Sequence, residues 1–366
     1  MRIAMIGSRG IPARAGGIER VVEELTRELS ARGHEVFVYG RRHYIQDDGK
    51  PQAGRLILTA GLDGKHLDTI THTATAMLDV LRRQVDVVHL HSPGPALLSW
   101  IPAAAGLPLV LTVHAPDWQR DKWSPPAKAM LRAGLACGMR LARAVTAVSR
   151  SLAEELSRRY RREVFYVPNA MRPLEPRSPQ AVSQWGLKPF GYALYVGRVV
   201  PEKRLHLLLE AWKILDRSHL LVVAGDHRQG RYAKACCRLA GPNVLFVGPQ
   251  YGQALAGLYS NAALVVQPSV LEGMSLVLLE AAAHGRCILA ARIPPNLEAM
   301  GDCILYFDKD NVSQLAEQIE RCLKDSELAR SLGLKAKKHV ERSFSWRSAA
   351  EQMERIYRQA MKGRQK

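Results

Sequence analysis

The sequence predicts an α/β protein built as two Rossmann-like, doubly wound parallel-sheet domains facing each other across a cleft. Three observations carry this reading. Strand-length runs rich in Val, Ile and Leu alternate with helical stretches of about 10–15 residues, the pattern of βαβ units whose sheets are buried on both faces. The alternation occurs twice along the 366 residues. The two blocks meet at PNAMRPLEPRSPQAVSQWGLKPFG, a proline-rich polar stretch that reads as a linker. A chain this long also exceeds one ordinary core.

In the first block MRIAMIG is a strand, IERVVEELTRELSARG a helix ending at Gly33, and HEVFVYG the next strand. VDVVHLH, LPLVLTVHA, AVTAVS and EVFYVPN are further strands, with helical patterns between most of them. The second block runs GYALYVGR, RLHLLLEAWKILD, HLLVVAGD, GRYAKACCRLAG, NVLFVG, QALAGLYSNA, ALVVQPS, GMSLVLLEAAAHG and CILAAR. The expected boundaries are residues 1–172 for the first domain, 173–190 for the linker and 191–343 for the second. Ligands bind such sheets at the carboxyl ends of the strands, so the residues just after each strand are the candidates for chemistry.

Composition narrows the classes. With 47% apolar and 23% charged residues the chain is globular. Six cysteines, two of them adjacent at Cys236 and Cys237 and none in a CxxC pair, read as reduced thiols of a cytosolic protein. MRIAMIGSRG turns into a glycine loop too early for a signal peptide. The uncharged stretch between Asp86 and Asp117 is broken by Pro93, Pro95, Pro102, Gly106 and Pro108, so it reads as loop, short helix and strand and not as a membrane span.

The formal net charge is +18, from 52 basic and 34 acidic residues, and implies an anionic partner. Within WQRDKWSPPAKAMLRAGLACGMRLARA, helical periodicity puts Lys128, Arg132, Arg140 and Arg143 on one arc with Leu135 and Met139 on or beside it. Flanked by Trp118 and Trp123, this arc suits an anionic membrane surface; a merely solvated basic helix is the plainer reading. Nucleic acid is the poorer partner, because aromatic residues are only 6% and no stacking pattern or reader motif accompanies the charge.

Three motifs sit where chemistry is expected. The first strand runs into GSRGIPARAGGIER, where Gly16 and Gly17 precede a helix and allow a phosphate to approach its free N–H groups. Glu19 in the first turn reads as compensation of the helix dipole. In the second block VGRVVPEKR places Arg198 and Lys203 at a strand's carboxyl end, able to clamp a diphosphate and stabilise it as a leaving group. LEGMSLVLLE follows ALVVQPS at the same sheet edge. Glu272 lies in the loop, Gly273, Met274 and Ser275 offer N–H groups at a helix start, and Glu280 lies within the helix. A sugar with hydroxyls and a nucleotide ribose would satisfy both carboxylates.

EGMSLVLLEA, with GRVVPEKR some seventy residues before it, resembles the retaining nucleotide-sugar glycosyltransferases of family 4, which have the GT-B fold. The resemblance covers nearly the whole chain. GGIERVVEELTRELSARGHEVFVYG resembles their first βα unit, VPNA their interdomain strand end, and SFSWRSAAEQMERIY their closing helix, which implies that residues 344–366 cross back to the first domain. The opening GSRGIPARAGGIE is most similar to members that build bacterial surface polysaccharides, rhamnosyl-, galactosyl- and glucosyltransferases among them.

The resemblance implies a division of labour, with acceptor on the first domain and donor on the second. Arg198 and Lys203 hold the donor diphosphate, with backbone N–H groups brought by Gly16. Glu280 binds the ribose, and Glu272 with Gly273, Met274 and Ser275 contacts the sugar. His114, in TVHAP, lines the reaction centre. It further implies transfer with retention on the front face of the sugar, from a UDP-sugar foremost and a GDP- or dTDP-sugar otherwise. The expected acceptor is a lipid-linked glycan at the inner face of the cytoplasmic membrane. No cofactor and no essential metal are expected: Asp308-Lys309-Asp310 mimics a DxD metal motif but stands where a helix cap is needed. Many relatives carry an aromatic residue and a proline where this chain has Met274 and Val277, which bears on the shape of the sugar pocket. The rival readings are a sugar-nucleotide epimerase on the same plan and a basic nucleic-acid-binding protein.

Overall fold

The computed structural model describes residues 1–13, 16–45, 51–62, 64 and 67–362. The chain divides into two compact units, Met1–Asn169 with Trp346–Lys366, and Ala170–Ser345.

The first unit opens with β1 (Arg2–Ile6), α1 (Gly17–Ala31), β2 (Glu35–Arg41), β3 (Arg55–Thr59) and α2 (Leu67–Arg82). β4 (Val87–His91) follows, then the short α3 (Pro93–Ala96) and α4 (Trp100–Ala104), β5 (Leu109–Val113) and α5 (Pro125–Leu141). β6 (Ala144–Ala147), α6 (Arg150–Tyr160) and β7 (Phe165–Tyr166) complete its first segment. The strands form one parallel sheet ordered β3-β2-β1-β4-β5-β6-β7. Every residue of β4 and β5 is buried, as continuous apolar strands covered on both faces require.

The second unit contains β8 (Tyr192–Val196), α7 (Leu205–Ile214), β9 (Leu220–Ala224), α8 (Arg231–Leu239), β10 (Val244–Phe246) and α9 (Gly252–Asn261). Then come β11 (Leu264–Gln267), α10 (Leu276–Ala283), β12 (Cys287–Ala291), α11 (Pro294–Met300), β13 (Leu305–Phe307), α12 (Val312–Lys324) and α13 (Ser326–Ser343). The sheet is again parallel, ordered β10-β9-β8-β11-β12-β13. In each sheet the order reverses beside the first strand of the unit, the topology of a doubly wound fold.

α14 (Trp346–Lys362) belongs to the first unit and packs against α1, β4, β5 and β6. Its buried residues Trp346, Ala349, Ala350, Met353, Ile356, Tyr357 and Ala360 recur at spacings of three and four, one apolar stripe of a helix. Tyr357 reaches the sheet, where its hydroxyl lies 2.7 Å from His89 Nδ1. His89 Nε2 lies 2.7 Å from Thr112 Oγ1, which is 2.6 Å from Thr146 Oγ1. A buried polar chain thus runs from the last helix across β4, β5 and β6.

Two strands escape the sequence reading, β3 and β13. Both lie at sheet edges and neither is fully buried, so neither shows the long Val/Ile run that marks a central strand. The basic arc on α5 needs correction. Trp118 is 2% exposed and belongs to the core of the first unit, with Leu135 and Met139. Trp123 is half-buried and packs on the same core. The helix buries the edge that holds Leu131, Leu135 and Met139 and exposes Ala129, Arg132, Ala133, Ala136 and Arg140. Lys128 is half-buried, 3.7 Å from Asp121, and Arg143 lies beyond the helix with its guanidinium donating to Ala360 O at 3.1 Å. The large apolar neighbours serve packing, and Arg132 and Arg140 remain outside among exposed alanines.

We expect Tyr357→Phe to destabilise the first unit by about 1–3 kcal/mol, because it leaves His89 Nδ1 buried and unpaired. Urea unfolding followed by tryptophan fluorescence measures this; an unchanged midpoint would show that the hydroxyl adds nothing to the fold.

Candidate functional site

In the second unit the backbone leaves β8 through Gly197 (φ 154) and turns at Pro201–Lys203 before Arg204, in the left-handed region at φ 51, starts α7. A Cβ on Gly225, just after β9, would lie 2.1 Å from Gly197 O, so only glycine lets the two strand ends approach. The 198–204 turn is stitched to the loop after β11: Ser269 Oγ donates to Glu202 O at 3.3 Å and Val270 N to the same oxygen at 3.1 Å.

That stitching brings the expected residues together. Lys203 Nζ forms a close ion pair with Glu272, whose Oε1 also accepts from Gln267 Nε2 at 3.0 Å. The same Gln267 amide donates to Ser275 Oγ. Arg198 is half-exposed at the sheet edge, 4.0 Å from the buried Glu202. Glu272 precedes the helix, and α10 begins at Leu276 with Ser275 as its N-cap. The Ser275 hydroxyl makes no capping hydrogen bond to the helix. Gly273 and Met274 are buried beneath that loop, and Glu280 is buried within α10. Lys203 and Glu272, both part-buried, thus neutralise each other.

The first unit carries its own polar edge. Gly16 is the N-cap of α1 at φ 104, Gly17 is its first residue, and no side chain caps it. Glu19 does more than offset a dipole. Its Oε1 accepts from Arg9 N at 3.2 Å and Arg9 Nε at 3.0 Å, and a Cβ on Gly16 would lie 2.1 Å from its other oxygen. His114 follows β5, and its Nε2 lies 3.0 Å from Nδ1 of His91 at the end of β4. Burial holds the His114 imidazole down to about 4 and His89 to about 3, His89 with help from the neighbouring His114, and burial holds His91 well below the ordinary range. A cavity at this edge is lined by His89, His91, His114, Asn169 and Trp346 among others.

Among the described residues no group of three His, Cys, Asp or Glu side chains could hold a metal ion. Asp308 and Asp310 do not converge: they pair with Arg292 at 3.1 Å and Arg204 at 2.9 Å. The cap of α12 is Asn311, whose Oδ1 accepts from Gln314 N at 3.0 Å.

Residues 15–173 match the model of Glycosyltransferase Family 4, and residues 183–339 that of Glycosyl transferases group 1. The chain belongs to glycosyltransferase family 4. Its fold is GT-B. A sucrose-phosphate synthase from Thermosynechococcus elongatus superposes with a TM-score of 0.81 at 23% identity, covering 99% of each chain. Anabaena HepE in complex with UDP-glucose gives 0.82 at 17% identity, over 97% of this chain and 99% of that one. Among curated relatives, a D-inositol 3-phosphate glycosyltransferase from Corynebacterium efficiens is 24% identical over 98% of this chain and 96% of its own. An uncharacterized glycosyltransferase from Methanocaldococcus jannaschii is 31% identical over 46% of this chain and 45% of its own length. The chain thus spans less than half the length of several curated relatives that it matches.

Three participants in this family-4 chain were not singled out from sequence: Gln267, Glu202 and His91. Gln267 ends an apolar strand where an amide has no packing use, and that signal was available. Glu202 and His91 read as ordinary loop and strand residues until the fold sets them beside Arg198 and His114.

The buried histidines set a pH dependence. Unfolding returns His89, His91 and His114 to an ordinary value near 6.5, so below it the unfolded chain binds more protons than the folded one. Stability is therefore full above pH 6.5 and falls as the pH drops from 6.5 through about 4 for His114 and about 3 for His89. Urea midpoints at pH 7.5, 6 and 5 should decline steadily; a flat series would mean that the folded histidines protonate as readily as the unfolded ones.

Proposed function

We propose that the protein is a retaining glycosyltransferase that moves a sugar from a nucleotide-diphosphate sugar to a lipid-linked glycan, in the synthesis of bacterial surface polysaccharide or glycolipid. The observation that carries it is the Lys203–Glu272 pair beside Arg198, at the carboxyl edge of the second unit's sheet. The names of relatives support it: a HepE solved with UDP-glucose, and an Escherichia coli O-antigen chain mannosyltransferase B, 28% identical over 50% of this chain.

Breaking the anomeric C–O bond builds negative charge on the diphosphate and positive charge on the sugar. Arg198 and Lys203 neutralise the first, and their two cations supply the charge that a metal provides elsewhere, so the reaction proceeds without one. Lys203 passes from Glu272 to phosphate, which frees Glu272 for sugar hydroxyls. Glu280 takes the ribose. Both steps use charges already desolvated, where they act most strongly. The leaving phosphate takes the acceptor's proton on the same face, which gives retention. UDP is the favoured base, with GDP and dTDP the alternatives.

The acceptor belongs to the first unit, and we place the enzyme at the cytoplasmic face of the membrane. No helix among the described residues is long and apolar enough to cross a membrane. The exposed Arg132 and Arg140 on α5 and the exposed Trp100, Leu78 and Leu81 on this unit support surface attachment. Attachment through cations is salt-sensitive.

Calorimetric titration with UDP-, GDP-, dTDP- and ADP-sugars tests the donor site. One nucleotide should bind the wild type, and Arg198→Ala, Lys203→Ala and Glu280→Ala should each weaken it about 10- to 100-fold, the worth of a hydrogen bond to a charged group. Turnover should survive EDTA, and proton NMR should show the product with the donor's anomeric configuration. Interconversion of the donor without any acceptor would replace this reading with an epimerase. Flotation with anionic liposomes should bring the protein up at low salt and lose it in Arg132→Glu with Arg140→Glu; flotation unmoved by salt or by these changes would sink the membrane assignment.

A further inference from the structure

We propose that His91 is a positioning residue that fixes the tautomer of His114, so that His114 presents its Nδ1–H as a hydrogen-bond donor to a substrate oxygen. The two rings stack at 5.2 Å with 21° between their planes, joined by the 3.0 Å contact from His91 Nδ1 to His114 Nε2. Both imidazoles are neutral, since burial disfavours their charged forms. One nitrogen of the pair therefore carries the shared hydrogen and the other accepts it.

The two ways of sharing differ at His91 Nε2, which is buried and has no hydrogen-bond partner among the described residues. If His114 Nε2 donates, His91 must carry its own hydrogen on Nε2, a buried N–H with nothing to receive it. If His91 Nδ1 donates, Nε2 is only an unused lone pair. Orphaned buried N–H groups are rarer and costlier than under-used acceptors. The second arrangement wins, and it puts the remaining hydrogen of His114 on Nδ1.

The position of His91 is held independently. Gly7, at the end of β1, approaches so closely that a Cβ there would lie 2.3 Å from His91 O. Ser92, the next residue, sits at φ 78 and ψ 158, a conformation almost confined to glycine. Its N–H is tied to Thr112 O at 2.9 Å. His89, by contrast, has both nitrogens paired, to Tyr357 and Thr112, and no nitrogen left to contribute.

The inference rests on the reading of His114 at the reaction centre, and its test separates the two. Two-bond proton–nitrogen spectra of the full chain labelled with ¹⁵N-histidine report each tautomer, with the His114 signal assigned by its loss in His114→Gln. The wild type should show His114 protonated on Nδ1. His91→Phe should shift it toward the Nε2–H form and lower kcat about tenfold, the worth of one positioned hydrogen bond, with little change in donor KM. His91→Asn, whose amide nitrogen replaces Nδ1, should restore both. An Nε2–H tautomer in the wild type, or an unchanged His114 signal in His91→Phe, overturns the proposal whatever the activity. Full turnover in His114→Ala would remove instead the role at the reaction centre, with the tautomer result standing on its own.

Discussion

Everything in this protein hangs on the parallel backbone ladder. A parallel strand must be covered on both faces, so most side chains along its length go to packing. Polar side chains gather instead at the carboxyl ends and just past them. Arg9 follows β1, His91 ends β4, His114 follows β5, Arg198 follows β8 and Glu272 follows β11. The ladder therefore decides where function is built before any particular side chain is chosen, and each sheet aligns all of its polar ends along a single edge.

The polar ends then have to survive without ligand. Lys203 and Glu272 neutralise each other, Gln267 fills a remaining carboxylate lone pair, and Glu19 holds Arg9 in the glycine loop. A buried charge left alone would cost several kcal/mol, so mutual satisfaction is a condition of folding. In the donor-site reading proposed above, a diphosphate would draw Lys203 from Glu272 and leave that carboxylate for sugar hydroxyls. On that reading, stability without ligand and reactivity with it would come from one set of contacts.

Central strands, the two-block organisation, the family and the residues at the second sheet edge were legible in the sequence. They are written in local patterns: hydrophobic runs, glycines at strand ends, charges at fixed offsets. Edge strands were not legible, because β3 and β13 are half-solvated and short. The orientation of α5 was not either. Helical periodicity placed Arg132 near Leu135 and Met139, but which side of that arc turns inward depends on α3, α4 and β5, which pack against it. Gly134 and Gly138 mark that inward side: a Cβ on Gly134 would strike Pro93 O at 2.2 Å, and one on Gly138 would meet Leu111 at 2.5 Å. Those glycines were the available signal.

The last helix shows why pairing across sequence distance is invisible until the fold exists. Tyr357 and His89 are 268 residues apart, yet burial of one without the other leaves a polar group unpaired. The apolar stripe of α14 drives it onto β4, β5 and β6, and the hydroxyl fixes its depth, since a shift along the axis breaks the bond to His89. The His89 ring lies tilted 4.0 Å from that of His91, which in turn contacts His114. A helix contributed by the end of the chain thereby bears on a histidine at the first unit's polar edge through three contacts, each between neutral buried groups. That gives the return of the chain a use beyond covering a sheet: it sets the packing against which the imidazole pair is aligned.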